Sequence, residues 1–292
     1  MKRGWLIQNG FYHSESFERL FLSLRREAEA LGLSLCLKGN DSLCPFQPKA
    51  AGERPDFVLF WDKDVRLADQ LESAGLRVFN GTRGIALCDD KTLTYLALKD
   101  RLPMPETILA PMTFFDYGEA SFLSRVEETL SFPYLIKEGC GSFGRQVYLI
   151  HSHEEGLAKV RQLAGKPFLF QRFIQASAGR DLRVYVCGGK TVACMERVAP
   201  PGDFRSNIEN GGKAVLHRLT KEEEALAVQA VQMLGLTFAG VDLLFTPEGP
   251  LLCEVNSNAH FTGLEKATGV DIAGGIARAV LRRLRAPGGG VP

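Results

Sequence analysis

Through residues 1–88 the chain alternates strand-like and helix-like runs, and that alternation leaves few ways to fold. Residues 6–9, 33–37, 57–61 and 77–80 read as short apolar strands. After the first, Ser14 can cap a helix whose apolar positions Phe17, Leu20, Phe21, Leu24, Ala28 and Leu31 follow a 3/4 spacing, with Gly32 as its stop. A second helix is expected over 67–74, stopped by Gly75. Strands separated by helices cross over rather than turn back, so a small parallel α/β lobe is predicted.

The chain is long for a single hydrophobic core at 292 residues, and further lobes are expected. Hydrophobic content of 45% and charged content of 24% are ordinary for a soluble globular protein. A net charge of +1 gives no global footprint for nucleic acid or a membrane surface. No apolar run approaches bilayer length, and the basic start Met1-Lys2-Arg3 lacks a long apolar stretch behind it, so it reads as a first strand rather than a signal peptide. Seven scattered cysteines without a CxxC pair fit reduced thiols, and a cytoplasmic location is expected.

The remaining chain divides into residues 89–178, residues 179–286 and a Gly/Pro-rich tail, 287–292, expected to be disordered. In the first of these, Asp90 can cap a helix through Leu98, followed by a helix near 122–130, strands at 134–137, 146–150 and 168–172, and a helix ending at Leu163. The next segment opens with a hairpin, 182–187 and 191–197, joined by Gly188-Gly189-Lys190. A polar loop (199–213), a helix (221–234), a second hairpin (240–256) and a last helix (272–284) follow.

The second hairpin carries the chemistry. Two apolar runs flank a Pro/Gly turn; centred on Glu248, the pairing sets Asp242 opposite Glu254, with Asn256 on the same face. Carboxylates facing each other across a ladder repel, so something positive is expected between them. Three hard oxygen donors without His or Cys point to Mg²⁺, which completes its shell with water and substrate phosphates. The alternative is a polar face turned to solvent.

Residues 137–147 join two strands through a loop with three glycines, Gly139, Gly141 and Gly144, whose backbone could lie against phosphate or close as a flap. A mobile hairpin tip is the plain alternative, and neither a P-loop nor a Rossmann fingerprint is present. Arg205 sits in a polar loop, with the side chain best shaped to fork onto phosphate or carboxylate. Asp181 and Arg183 share one strand face, with Leu182, Val184 and Val186 on the other; a half-exposed edge explains this equally well. Lys91 reads as an ordinary solvated helix charge when taken alone.

Taken in order, these segments resemble the ATP-grasp superfamily, specifically RimK-type carboxylate–amine (alpha-L-glutamate) ligases, over residues 69–279. The carriers are Phe79-Asn80-Gly81-Thr82 to Asp89-Asp90-Lys91, Gln171-Arg172-Phe173-Ile174, Gly179-Arg180-Asp181-Leu182-Arg183, Asp203-Phe204-Arg205-Ser206-Asn207 with Gly211-Gly212, and Glu254-Val255-Asn256-Ser257 with Gly263-Leu264-Glu265. The resemblance implies an ATP-grasp fold of class α/β (α+β): an N-terminal parallel pre-ATP-grasp lobe, a small lid lobe (89–178) and a C-terminal antiparallel lobe (179–286). It implies that Lys91 and Lys137 contact ATP phosphates. The main chain at Gln171, Arg172 and Phe173 would meet adenine, and Asp181 the ribose. Arg205, Ser206 and Asn207 would lie by the triphosphate, with Arg205 and Lys137 catalytic. Asp242, Glu254 and Asn256 would hold Mg²⁺, usually two ions, with Mn²⁺ as a substitute. Arg183, Asn258 and His260 would lie near the second substrate.

Two departures stand out: Glu138 replaces the proline that commonly follows the phosphate lysine, and Asn258-Ala259-His260 replaces a Ser/Ala-Pro step near the acceptor. Strand alternation would turn Glu138 away from the phosphates. The expected activity is amide formation through an acyl phosphate, joining an amino acid such as glutamate to a carboxylate on a peptide, metabolite or carrier protein, in a homodimer or homotetramer. The rivals are a D-Ala–D-Ala-type or thiol-forming ATP-grasp ligase and a non-catalytic ATP-binding module.

Overall fold

The computed structural model describes residues 1–44, 54–141, 144–206 and 211–286. Asn207 and the tail 287–292 lie outside the described residues. Strands β1 (Lys2–Gln8), β2 (Leu33–Gly39), β3 (Phe57–Phe60) and β4 (Val78–Phe79) form one sheet in the order β2-β1-β3-β4. All its pairings are parallel, as the strand–helix alternation demands. Helix α1 (Glu15–Ala30) starts where Ser14 accepts from the Phe17 amide, and buries Leu20, Phe21, Leu24 and Ala28. Gly32, at φ +75°, ends it in a left-handed turn. Helix α2 (Val65–Ser73) follows β3. Helix α3 (Thr82–Asp89) follows β4 and was not expected; it starts at Gly81 without a side-chain cap, so it lacks a start signal.

Helix α4 (Lys91–Leu98) is capped by Asp90, whose carboxylate accepts from the Thr92 amide at 2.8 Å. Beyond it, β5 (Thr107–Leu109), α5 (Leu123–Leu130), β6 (Tyr134–Glu138), β7 (Val147–Ile150), α6 (His153–Gln162) and β8 (Phe168–Arg172) form a second layer. Its sheet runs β5-β8-β6-β7, antiparallel throughout. Tyr134, Ile136, Phe168 and Phe170 fill the core between this sheet and its helices. Leu98 and Leu102, after α4, instead join the core beneath the third sheet, so residues 89–178 contribute to two cores.

The third sheet contains β9 (Arg180–Cys187), β10 (Lys190–Val198), β11 (Lys213–Leu216), β12 (Phe238–Leu244) and β13 (Leu251–Asn256), in the order β11-β10-β9-β12-β13. It is flanked by α7 (Lys221–Met233), α8 (Thr262–Thr268) and α9 (Ile272–Arg285). Strand β9 is central rather than an exposed edge. Its Leu182, Val184 and Val186 share a buried core with Leu226, Ala227 and Val231 of α7. The opposite face is divided. Tyr185, Cys187 and Phe238 are buried in a core with α9, whereas Asp181, Arg183 and Asp242 line an open cavity.

The first and third sheets share one hydrophobic core. Trp61 stacks on Phe238 at 5.4 Å between ring centroids. Asn80 is buried at this junction: its amide donates to the carbonyls of Phe238 (2.9 Å) and Ser257 (2.8 Å), and its oxygen accepts from the Thr237 amide (2.8 Å). Among the described residues no helix is long and apolar enough to cross a membrane.

Candidate active site

A cavity of about 380 Å³ opens between the three sheets and is lined from each of them. On β6, Leu135 and Lys137 face the cavity while Ile136 faces the core, the alternation of a strand. Lys137 is buried and its ammonium lies 3.8 Å from the Cys253 sulfur. Glu138 points the other way, accepting from Tyr148 Oη (2.7 Å) and Lys166 Nζ (3.3 Å), so its charge stays off the cavity wall.

The Gly-rich loop folds against the start of α4. The Lys91 amide donates to the Gly139 carbonyl (2.8 Å), and Lys91 Nζ donates to the Gly141 carbonyl (3.3 Å). Arg205 meets the same loop from the polar loop, donating to the Gly144 carbonyl at 3.3 Å. Asp203 holds that guanidinium at 3.0 Å, and the bond keeps the Asp203 carboxyl below its usual range. Lys91, Lys137 and Arg205 thus bring three cations to one region of the cavity. Ser206 is buried beside them.

The opposing wall comes from the acidic hairpin. Asp242 pairs with Glu254 and Gly240 with Asn256, the register expected from the sequence. One step toward the turn, Leu243 pairs with Leu252, leaving Cys253 as the extra residue of a β-bulge. The bulge lets Cys253 and Glu254 both line the cavity, while Leu252 and Val255 stay in the core. The positive charge expected beside the carboxylates is already supplied in part by arginine. Arg183 forks onto Asp242, with Nη2 2.9 Å from Oδ2, and Arg197 Nη2 reaches the same oxygen at 2.9 Å. Burial pushes the Asp242 carboxyl up, but the two guanidiniums outweigh it and hold it down at about 2. Arg197 also donates to Asp181 at 2.7 and 2.5 Å. Despite the opposing cost of burial, the two carboxylates hold Arg197 firmly protonated.

These donors fit a hard cation. A carboxylate accepts in about four directions, and the arginines use three of those on Asp242. Among the described residues, nothing is hydrogen-bonded to the side chain of Glu254 or Asn256. No group of three or more His, Cys, Asp or Glu residues is arranged for a metal among the described residues. Two carboxylates and an amide form a weaker, oxygen-only set, suited to an ion that keeps water and phosphate ligands.

Arg172 and Phe173 line the cavity at the end of β8. The Arg172 guanidinium is tied to Glu106 and to the carbonyls of Thr129 (2.9 Å) and Leu130 (3.1 Å), and its backbone N–H donates to the Glu106 carbonyl at 2.9 Å, so neither its side chain nor its amide is open to a ligand. The Gln171 side chain is turned to Thr107 (2.9 Å), away from the main cavity. Asp181 faces the cavity with both oxygens engaged by Arg197. Arg183 is locked to Asp242, whereas Asn258 and His260, the other two residues expected near the second substrate, line the cavity. Ser16 and Thr262 hydroxyls lie 3.0 and 3.2 Å from the two His260 nitrogens.

Arg197 and an N-terminal wall of Asn9, Tyr12, Phe17, Trp61 and Asp62 also line the cavity, and neither was expected from the sequence. Arg197 was within reach, because a pairing centred on Gly189 sets it opposite Asp181. The N-terminal residues follow the carboxyl ends of parallel strands, where ligands of such sheets bind.

Residues 88–280 match the family model of a RimK-like ATP-grasp domain. A probable alpha-L-glutamate ligase of Parasynechococcus marenigrum is 37% identical over 218 residues, covering 74% of this chain and 46% of that protein. Human beta-citrylglutamate synthase B is 34% identical over 223 residues, covering 74% of this chain and 56% of that protein. The chain spans about half the length of these two relatives. A crystal structure of a RimK domain ATP-grasp protein from Sphaerobacter thermophilus superposes with a TM-score of 0.74 at 24% identity, over 95% of this chain and 98% of that one. That likeness shows the ATP-grasp fold.

Proposed function

The chain belongs to the RimK-like ATP-grasp family, and on that premise we propose that it is an ATP-dependent carboxylate–amine ligase. One observation supports this reading above the others: Lys91, Lys137 and Arg205 share a single cavity with Glu254, Asn256 and Asp242. Cations suited to phosphate and oxygens suited to a divalent ion meet where a nucleoside triphosphate with Mg²⁺ would need both.

In this reading a substrate carboxylate oxygen attacks the γ-phosphorus, the bond to the bridging oxygen breaks, and ADP leaves. An amine nitrogen then attacks the acyl carbon, phosphate departs, and the amine gives up a proton. Lys91 and Lys137 hold phosphate oxygens, and Arg205 lies against charge that builds on the transferring group. Asp242, Glu254 and Asn256 would hold one or two Mg²⁺ ions, or Mn²⁺, which neutralise phosphate charge when bound. Arg183 and Arg197 keep Asp242 fixed, so little reorganisation is needed. The loop around Gly141, drawn onto Lys91 and Arg205, would exclude water that would otherwise hydrolyse an acyl phosphate. The relatives' names favour glutamate as the amine, joined to a carboxylate of a peptide, metabolite or carrier protein.

The test is incubation with ATP, Mg²⁺ and pools of amino acids and short peptides, following ADP and searching for the condensed product by mass. ADP release that depends on both an amine and a carboxylate supports the ligase. ATP binding without ADP release across the pools would leave a nucleotide-binding module instead.

A further inference from the structure

The cavity extends beyond the metal and phosphate residues. Past Asn256 and Asn258 it reaches the first sheet, lined by Gln8 and Asn9 at the end of β1 and by Trp61 and Asp62 after β3. In the order β2-β1-β3-β4, the chain runs from β1 to one side and places β3 on the other. The gap between the ends of β1 and β3 is therefore the topological switch point, where open parallel sheets bind ligands.

The lining there has a distinct chemistry. Phe17 packs edge-on against Tyr12 (5.4 Å between centroids) and His260 (5.1 Å), giving an aromatic wall. Asp62 lines the same cavity and is 7% exposed. Its Oδ1 accepts from the Lys63 amide (2.7 Å) and lies 3.5 Å from the Asn9 amide, while Oδ2 has no partner among the described residues. A buried carboxylate with an unmet oxygen calls for a donor. The cations nearby are already committed: Lys63 Nζ is 2.7 Å from Asp89, and Arg183 is held by Asp242. An additional anionic side chain would find its counter-charges taken here, whereas an ammonium would find Asp62.

Resting on the ligase reading, we infer that the switch-point end of the cavity binds the acceptor, and that the acceptor is a free amino acid or short peptide with a positively charged amine and an aromatic or branched apolar side chain. The amine lies toward Asp62, the side chain against Tyr12 and Phe17, and the carboxylate toward the phosphate end. The same lining suits such a peptide or amino acid better than a polycarboxylate metabolite.

Binding is measured by calorimetry on the full chain with Mg²⁺ and a non-hydrolysable ATP analogue, so the outcome does not depend on turnover. The probes are alanyl-phenylalanine, its N-acetylated form and citrate. The unmodified dipeptide should bind at least about tenfold tighter than the other two, as expected for one charge-assisted contact. Asp62→Asn should remove that preference, and Tyr12→Ala, at an exposed position, should weaken the dipeptide several-fold while leaving nucleotide affinity unchanged. Equal or tighter binding of citrate, of the acetylated peptide, or of the dipeptide to Asp62→Asn protein would overturn the inference. Failure of the ligase reading appears separately, as absent ADP release with ATP for every acceptor.

Discussion

Arg197 sets Nη2 2.9 Å from Asp242 Oδ2 while its other contacts fork onto Asp181, so one buried guanidinium ties two cavity carboxylates together. Removing it leaves Asp181 without its bonded guanidinium and Asp242 with Arg183 alone bonded to it among the described residues. Arg197→Met should therefore destabilise the fold by about 3–5 kcal/mol, the usual cost of breaking a buried ion pair from one side. Urea denaturation checks this, and a loss below about 1 kcal/mol would show that the network relaxes freely.

The same pairing makes stability depend on acid. The folded Asp242 carboxyl sits at about 2, below its ordinary 3.8, so its contribution is complete above pH about 4 and is lost as pH falls toward about 2. Melting temperatures measured from pH 5 to pH 2 should fall in that window. Asp242→Asn should show a shallower fall there, because one titrating carboxylate has been removed.

Glu254 separates function from folding more cleanly than Asp242 does. Asp242 is bound by two arginines, whereas Glu254 lines the cavity with no bonded partner among the described residues. Glu254→Gln should keep the wild-type melting temperature and lower ADP release at least about a hundredfold, on the scale of losing an electrostatic catalytic contact. Asp242→Asn should lose ADP release together with some stability. Near-wild-type turnover in either variant would remove the metal assignment.

Much of this arrangement was legible because it follows from local rules. Ser14 and Asp90 each cap the expected helix, and strand alternation put Asp181 and Arg183 opposite Leu182 and Val184. The Asp242–Glu254 pairing followed from the turn, although the bulge at Cys253 that aims two consecutive residues into the cavity did not. Bulges depend on the partner strand and leave little local signal. The N-terminal wall was not legible, because Asp62 and Tyr12 share a cavity with Asn258 only once separate lobes share a core. Lys91 looked like a solvated helix charge because its partner, the Gly141 carbonyl, is distant in sequence.

Asn80 is the polar joint in that shared core. Its side chain bonds the main chain of Thr237, Phe238 and Ser257, all from the third sheet and its connections. Asn80→Ala strands several buried polar groups, each costing about 1–3 kcal/mol when unsatisfied, so a loss of about 3 kcal/mol or more is expected. Hydrogen exchange should show the loss at β4 and at the start of β12 in particular. Protection unchanged at both places would mean that the apolar contacts alone hold the lobes together.

Lys137 tests the phosphate side without touching the metal residues. It is buried on β6 with its ammonium near the Cys253 sulfur, a weak acceptor, so much of its charge is available to a ligand. Lys137→Met keeps the apolar stem and removes the charge, and it should weaken binding of a non-hydrolysable ATP analogue by at least about tenfold. Lys137→Arg should recover little of this, because a guanidinium fork has a different shape from a compact ammonium and the site is closely packed. Calorimetric titration of both variants decides the matter: wild-type affinity in Lys137→Met would move the triphosphate away from β6 and leave Lys91 and Arg205 as its main cations.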